Sequence, residues 1–99
     1  MRYDFNILEE YAQDFLSAGY PEKATKIYLF MADQSSGGGH LGKKLGECYE
    51  RLGDLHAAKY WYGRAVEENP QARLDCVEAR ERLAHVTLDE LIPADLYVR

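Results

Sequence analysis

The chain repeats itself at an interval of 34 residues. Gly19 recurs as Gly53, Ala12 as Gly46, Phe15 as Tyr49, Ala24 as Ala58 and Tyr28 as Tyr62. The same interval carries Tyr11 onto Leu45 and Ser36 onto Pro70. Small residues fall on small ones and aromatics mostly on aromatics. Self-similarity at a period of roughly 20–50 residues is the mark of stacked supersecondary units, none of which can bury its apolar face alone. At 99 residues the chain has room for one domain with one modest core.

Within each period the apolar residues follow helical spacing. Leu45, Tyr49 and Leu52 share one helix face. Gly53 follows that run and suits a left-handed helix end, and Asp54 suits the N-cap of the next helix. Leu55, Ala58, Tyr62, Ala65 and Val66 make the second buried stripe. In the first period Ile7, Leu8, Tyr11, Phe15 and Leu16 are expected inward, Gly19 ends the helix, and Pro21 suits the first position of the next. Ala24, Ile27, Tyr28 and Met31 continue the stripe. Ser35 to Gly39 reads as a flexible linker, since no strand and no Lys-Ser/Thr accompany its glycines as a phosphate loop requires. Asn69-Pro70 reads as the cap and first turn of a fifth helix, with Leu74, Val77, Leu83, Cys76 and Ala79 on its apolar side and Glu78, Arg80, Glu81 and Arg82 on its solvated side. Thr87 to Glu90 forms a capping box, and Pro93 stops any helix there.

Leu45-Gly46-x-x-Tyr49, Gly53-Asp54, Ala58-x-x-x-Tyr62-x-x-Ala65 and Pro70 together resemble the tetratricopeptide repeat. Leu8, Tyr11, Ala12, Phe15, Gly19, Ala24 and Tyr28 fit the same pattern. The departures are Gly42, where a large apolar residue is usual and Leu41 is available to fill the space, Met31 in place of a small residue, and Ser36 in place of the proline. The expected fold is all-α: a single domain over 1–99, a short α-solenoid with repeats at 5–38 and 39–72, a capping helix at 70–86 and a tail at 87–99.

The resemblance implies a concave face, lined by the first helix of each hairpin, that holds a peptide or helix of a partner. Carried over by repeat position, that face has Asn6, Glu9, Gln13 and Leu16, then His40, Lys43, Glu47 and Glu50, then Leu74, Val77 and Glu81. Some members of the family clamp a C-terminal carboxylate with Lys, Arg and Asn at such places. Glu9 and Gln13 stand where Lys and Asn would be needed, so the clamp is not carried over, and a partner of mixed or slightly basic character fits better. Lys43 and Glu47, one turn apart, are the expected contacts. Tyr60 and Trp61 are aromatics beyond what the repeat core requires, and form a second candidate contact site.

Chemistry is thinly represented. His40, His56 and His85 fall on three different expected helices, and Cys48 and Cys76 lie far apart in sequence within helical patterns, so neither set has metal-ligand spacing and no metal or other cofactor is expected. The serines have no nucleophile elbow around them, and Glu9-Glu10 and Glu67-Glu68 point apart as helix neighbours do, so no enzyme is expected. A net charge of −5 argues against nucleic acid or an anionic membrane as partner. Charges near the start exclude a signal peptide, and no apolar run is long enough to span a membrane, which together suggest the cytoplasm. The expected function is a non-catalytic interaction module, adaptor or chaperone-like, binding another protein or peptide. The alternative is a self-assembling structural unit. Leu88, Leu91, Ile92, Leu96, Tyr97 and Val98 crowd the tail, which is expected to dock on the chain's own fifth helix or into a second copy, giving a homodimer.

Overall fold

The computed structural model describes residues 4–35, 37–71 and 73–85, and these are all-α, with no strand. The elements are α1 (Phe5–Ala18), α2 (Pro21–Gln34), a 3₁₀ turn at Gly37–Gly39, α3 (His40–Leu52), α4 (Leu55–Glu68) and α5 (Leu74–Arg82). Each helix packs on the one before it in the chain. The expected tail at 87–99 lies outside the described residues.

The 34-residue interval is also the interval of the backbone. α1 and α3 end at equivalent residues, and α2 and α4 begin and end at equivalent residues. Both first helices stop at a left-handed glycine, Gly19 with φ 89° and Gly53 with φ 80°. The same pair of hydrogen bonds closes each end: Gly19 N–H to Leu16 O and Tyr20 N–H to Phe15 O, then Gly53 N–H to Glu50 O and Asp54 N–H to Tyr49 O. That pattern satisfies carbonyls the last turn would otherwise leave open. Asp54 caps α4 through the Ala57 N–H, and Pro21 occupies the first turn of α2. Asp4 does the same for α1, accepting from the Asn6 and Ile7 N–H groups.

The buried small residues show how closely the helices approach. Ala12, Ala24, Ala58 and Ala65 have no exposed surface. A Cβ added at Gly46 would lie 2.7 Å from the Tyr62 ring, and one at Gly42 would lie 2.9 Å from the Trp61 carbonyl oxygen. A large residue at Gly42 is therefore excluded by the backbone of α4, while Leu41 is buried in the core that α3 shares with the first hairpin. A second core joins α4 to α5 through Tyr62, Cys76 and Leu83, with Tyr49 packed against both.

Several sequence expectations are corrected. Ile7 and Tyr11 face outward, because no described element covers that side of α1. Leu52 and Leu55 flank the tip of the second hairpin and are also exposed. Leu74, expected on the apolar side of α5, is its most exposed large apolar residue. The fifth helix begins at Leu74, not at Pro70, and ends at Arg82. Asn69 closes α4 instead, its N–H donating to Ala65 O and its side chain reaching Gly38 O at 3.5 Å. Leu74 is the repeat equivalent of His40, the first residue of α3, so α5 begins at the same point of the 34-residue interval as α3. His85 lies in the turn beyond α5, not on a helix.

The glycine linker is not a loose spacer. Gly39 is buried with φ 90°, and its N–H donates to Glu68 Oε2 at 2.8 Å. The N-terminus of α3 thus takes its cap from the end of α4. A carboxylate there also meets the positive end of the helix dipole. Arg82, expected on a solvated face, is exposed but bound to Glu50.

Candidate functional site

Two surfaces gather the candidate residues. The first runs across α1, α3 and α5 at repeat-equivalent positions: Asn6, His40 and Leu74; Glu9, Lys43 and Val77; Gln13, Glu47 and Glu81. None of the nine is buried. Side-chain bonds between neighbouring first helices link them. The two Glu9 oxygens lie 2.9 and 2.8 Å from His40 Nε2, which donates between them. Lys43 Nζ lies 2.8 Å from Asp75 Oδ2. That contact raises the Lys43 pKa and lowers that of Asp75, in each case through the hydrogen bond they share.

Beneath this row lies Tyr28 of α2. Its hydroxyl accepts from Gln13 Nε2 at 2.9 Å and donates to Glu9 Oε2 at 3.2 Å. Burial and the neighbouring Glu9 push its ionisation far up, so it remains a proton-bearing hydroxyl. Glu9 is thus shared by Tyr28 and His40 and holds α1, α2 and α3 in one register. In chemical terms this is a positioning network: its carboxylate accepts from two donors, and the imidazole nitrogen that meets it is engaged.

Glu50, about one turn beyond Glu47 on the same helix, belongs to a second network. Tyr62 Oη donates to Glu50 Oε1 at 2.6 Å, and Arg82 grips both oxygens, Nη1 to Oε2 at 2.6 Å and Nη2 to Oε1 at 2.9 Å. The bidentate guanidinium, then the Tyr62 hydroxyl, hold the Glu50 carboxyl below its usual range against the opposing effect of burial. Leu16, carried over to the groove from the sequence, is buried instead, with its carbonyl accepting from Arg51 Nη1 at 3.1 Å.

The second surface is on α4. Tyr60 is exposed and meets the half-buried Trp61 edge to face, with centroids 5.3 Å apart. The Arg64 guanidinium sits 4.9 Å from the Trp61 ring centre and 3.6 Å from Glu68. Trp61 and Arg64 line a shallow depression of about 360 Å³ with Leu29, Ala32 and Asp33 of α2. The two surfaces stand on different sides of the hairpins and share no residue.

The structure therefore brings Glu9, Gln13 and His40 together and pairs Lys43 with Asp75 of α5. Glu50 is held in its own hydrogen-bond network further along α3, and Tyr60 and Trp61 lie on α4. Sequence reasoning missed Tyr28, Asp75 and Arg82 as partners of these groups. The ring of Tyr28 marks it as core, and nothing in its spacing announces where its hydroxyl points. Cys48 and Cys76 are free and buried, and burial raises both thiols, Cys76 to about 11. No group of three or more His, Cys, Asp or Glu among the described residues is placed to hold a metal ion. No described helix is long and apolar enough to cross a membrane. Compared with protein families, curated proteins and solved structures, the chain finds no match.

Proposed function

We propose that this chain is a non-catalytic protein–protein interaction module of tetratricopeptide type, adaptor or chaperone-like, whose α1–α3–α5 face binds a peptide or helix of a partner. The observation that carries the reading is the ordered polar row itself. Glu9–His40 and Lys43–Asp75 tie successive first helices together, and Leu74 stands beside them 67% exposed. A partly exposed ion pair such as Lys43–Asp75 is worth about 0–1 kcal/mol, so a partner's charges can replace it at little cost. An exposed leucine at the edge of such a row supplies an apolar anchor. Free thiols suit a reducing compartment, and the cytoplasm is the setting this reading gives the module.

The test is capture from native lysate with identification by mass spectrometry, followed by titration of the captured partner. Reversing the charges with Lys43→Glu and Glu47→Lys is expected to weaken binding while leaving the helical circular dichroism intact. Undiminished binding by that variant would refute the site, and the Tyr60–Trp61 surface would be tested next.

A further inference from the structure

The chain contains its own template for what belongs on the exposed edge of α1. Ile7 and Tyr11 are the repeat equivalents of Leu41 and Leu45 on α3. In the second hairpin these positions are 4% and 0% exposed, buried in a core where α2 packs on α3. In the first they are 48% and 57% exposed. The helix faces are equivalent, the side chains are apolar in both, and one of the two is uncovered among the described residues.

The edge of α1 differs from its template in charge. Where α3 has the buried Cys48, with Thr25 of α2 in hydrogen-bonding reach, α1 has Asp14. Where α3 has Lys44, α1 has Glu10. Both acids are exposed, and residues 4–18 include no Lys or Arg. A helix seated here as α2 is seated on α3 would bury Asp14 against its own side chains. An unpaired carboxylate is costly to bury, so the covering helix must bring a cation. A second copy using this same face would set Glu10 and Asp14 against their own kind.

We propose that the Ile7–Tyr11 edge of α1 is a second docking surface, and that its occupant is an amphipathic helix of a partner protein with Lys or Arg flanking its apolar strip, a cation standing opposite Asp14. This surface is distinct from the row containing Glu9 and Gln13, which lies on another side of the same helix, so it stands or falls independently of that row.

Two synthetic helical peptides with one common leucine strip serve as probes, one flanked by Lys and Arg and the other by Glu. They are titrated into the ¹⁵N-labelled chain and followed by NMR. The basic peptide is expected to shift the amides around Ile7, Tyr11 and Asp14, and to bind at least about tenfold more tightly than the acidic one. Glu10→Lys with Asp14→Lys should reverse that preference, and Lys43→Glu with Glu47→Lys should leave it unchanged. Both reversed residues of α1 are exposed, and unchanged circular dichroism confirms that the fold persists. Equal affinity for the two peptides, absence of binding, or shifts centred elsewhere would overturn the proposal. So would a concentration-dependent dimer abolished by Tyr11→Ser, which would make the occupant a second copy.

Discussion

Two glycines inside helices should respond to alanine with opposite signs. Gly63 lies within α4, and a Cβ there would meet only Arg80 Cδ at 3.7 Å, an ordinary contact. Replacing an interior helical glycine by alanine gains about 0.8–1 kcal/mol. Gly46 lies within α3, and a Cβ there would stand 2.7–2.8 Å from three atoms of the Tyr62 ring. That ring is buried, and its hydroxyl is held by Glu50 at 2.6 Å, so it can move aside only by loosening the bond. Overpacking of this kind costs about 1–3 kcal/mol. Losing a hydrogen bond to a charged group adds about 1.5–3 kcal/mol. Set against the propensity gain, Gly46→Ala is expected to destabilise by roughly 1.5–5 kcal/mol. For a domain of this size each kcal/mol moves the melting temperature by about 4–8 °C. Thermal melts by circular dichroism should therefore show Gly63→Ala melting several degrees higher than the parent and Gly46→Ala clearly lower. Combining Gly46→Ala with Tyr62→Leu should cost less than the two changes separately, because the second removes the obstacle to the first. If both glycine variants melt higher, the close approach of α3 to Tyr62 is refuted and propensity alone governs.

Ala58→Leu should overpack the second hairpin and lower stability by about 1–3 kcal/mol, read from the same melts; an unchanged melting temperature would show that Ala58 is not in close contact with α3. Glu50 titrates below its usual range because Arg82 binds its charged form, so its contribution is present above about pH 4.3 and is lost as pH falls through the depressed value. Glu50→Gln should accordingly melt lower than the parent at pH 7, and the gap should close in acid; a gap that stays constant down to pH ~2 would contradict the pairing. Cys48 and Cys76, buried and with raised thiol pKa values, should react with a maleimide near neutral pH only after unfolding; rapid labelling of the native chain would contradict their burial.

The 34-residue interval, the helix ends at Gly19 and Gly53, the cap at Asp54 and the start of α2 at Pro21 were all legible in the sequence. Each rests on local chemistry: a left-handed backbone suits glycine, a short acidic side chain reaches the next free N–H groups, and a missing N–H is harmless in a first turn. The buried alanines were legible for a related reason, since a small residue recurring at one phase of a helix marks where another backbone comes close. Local chemistry misled at Asn69-Pro70, a good helix start by composition, because α5 begins at the repeat equivalent of His40 and without a side-chain cap. It was silent on Glu9–His40, Lys43–Asp75 and Glu50–Arg82, whose partners lie 31 or 32 residues apart and meet only after the helices pack. Periodicity marked Ile7 and Tyr11 as one apolar face just as it marked Leu45, and could not distinguish them. An apolar stripe states that a helix has a side to cover, and only the packed neighbours decide whether that side is covered.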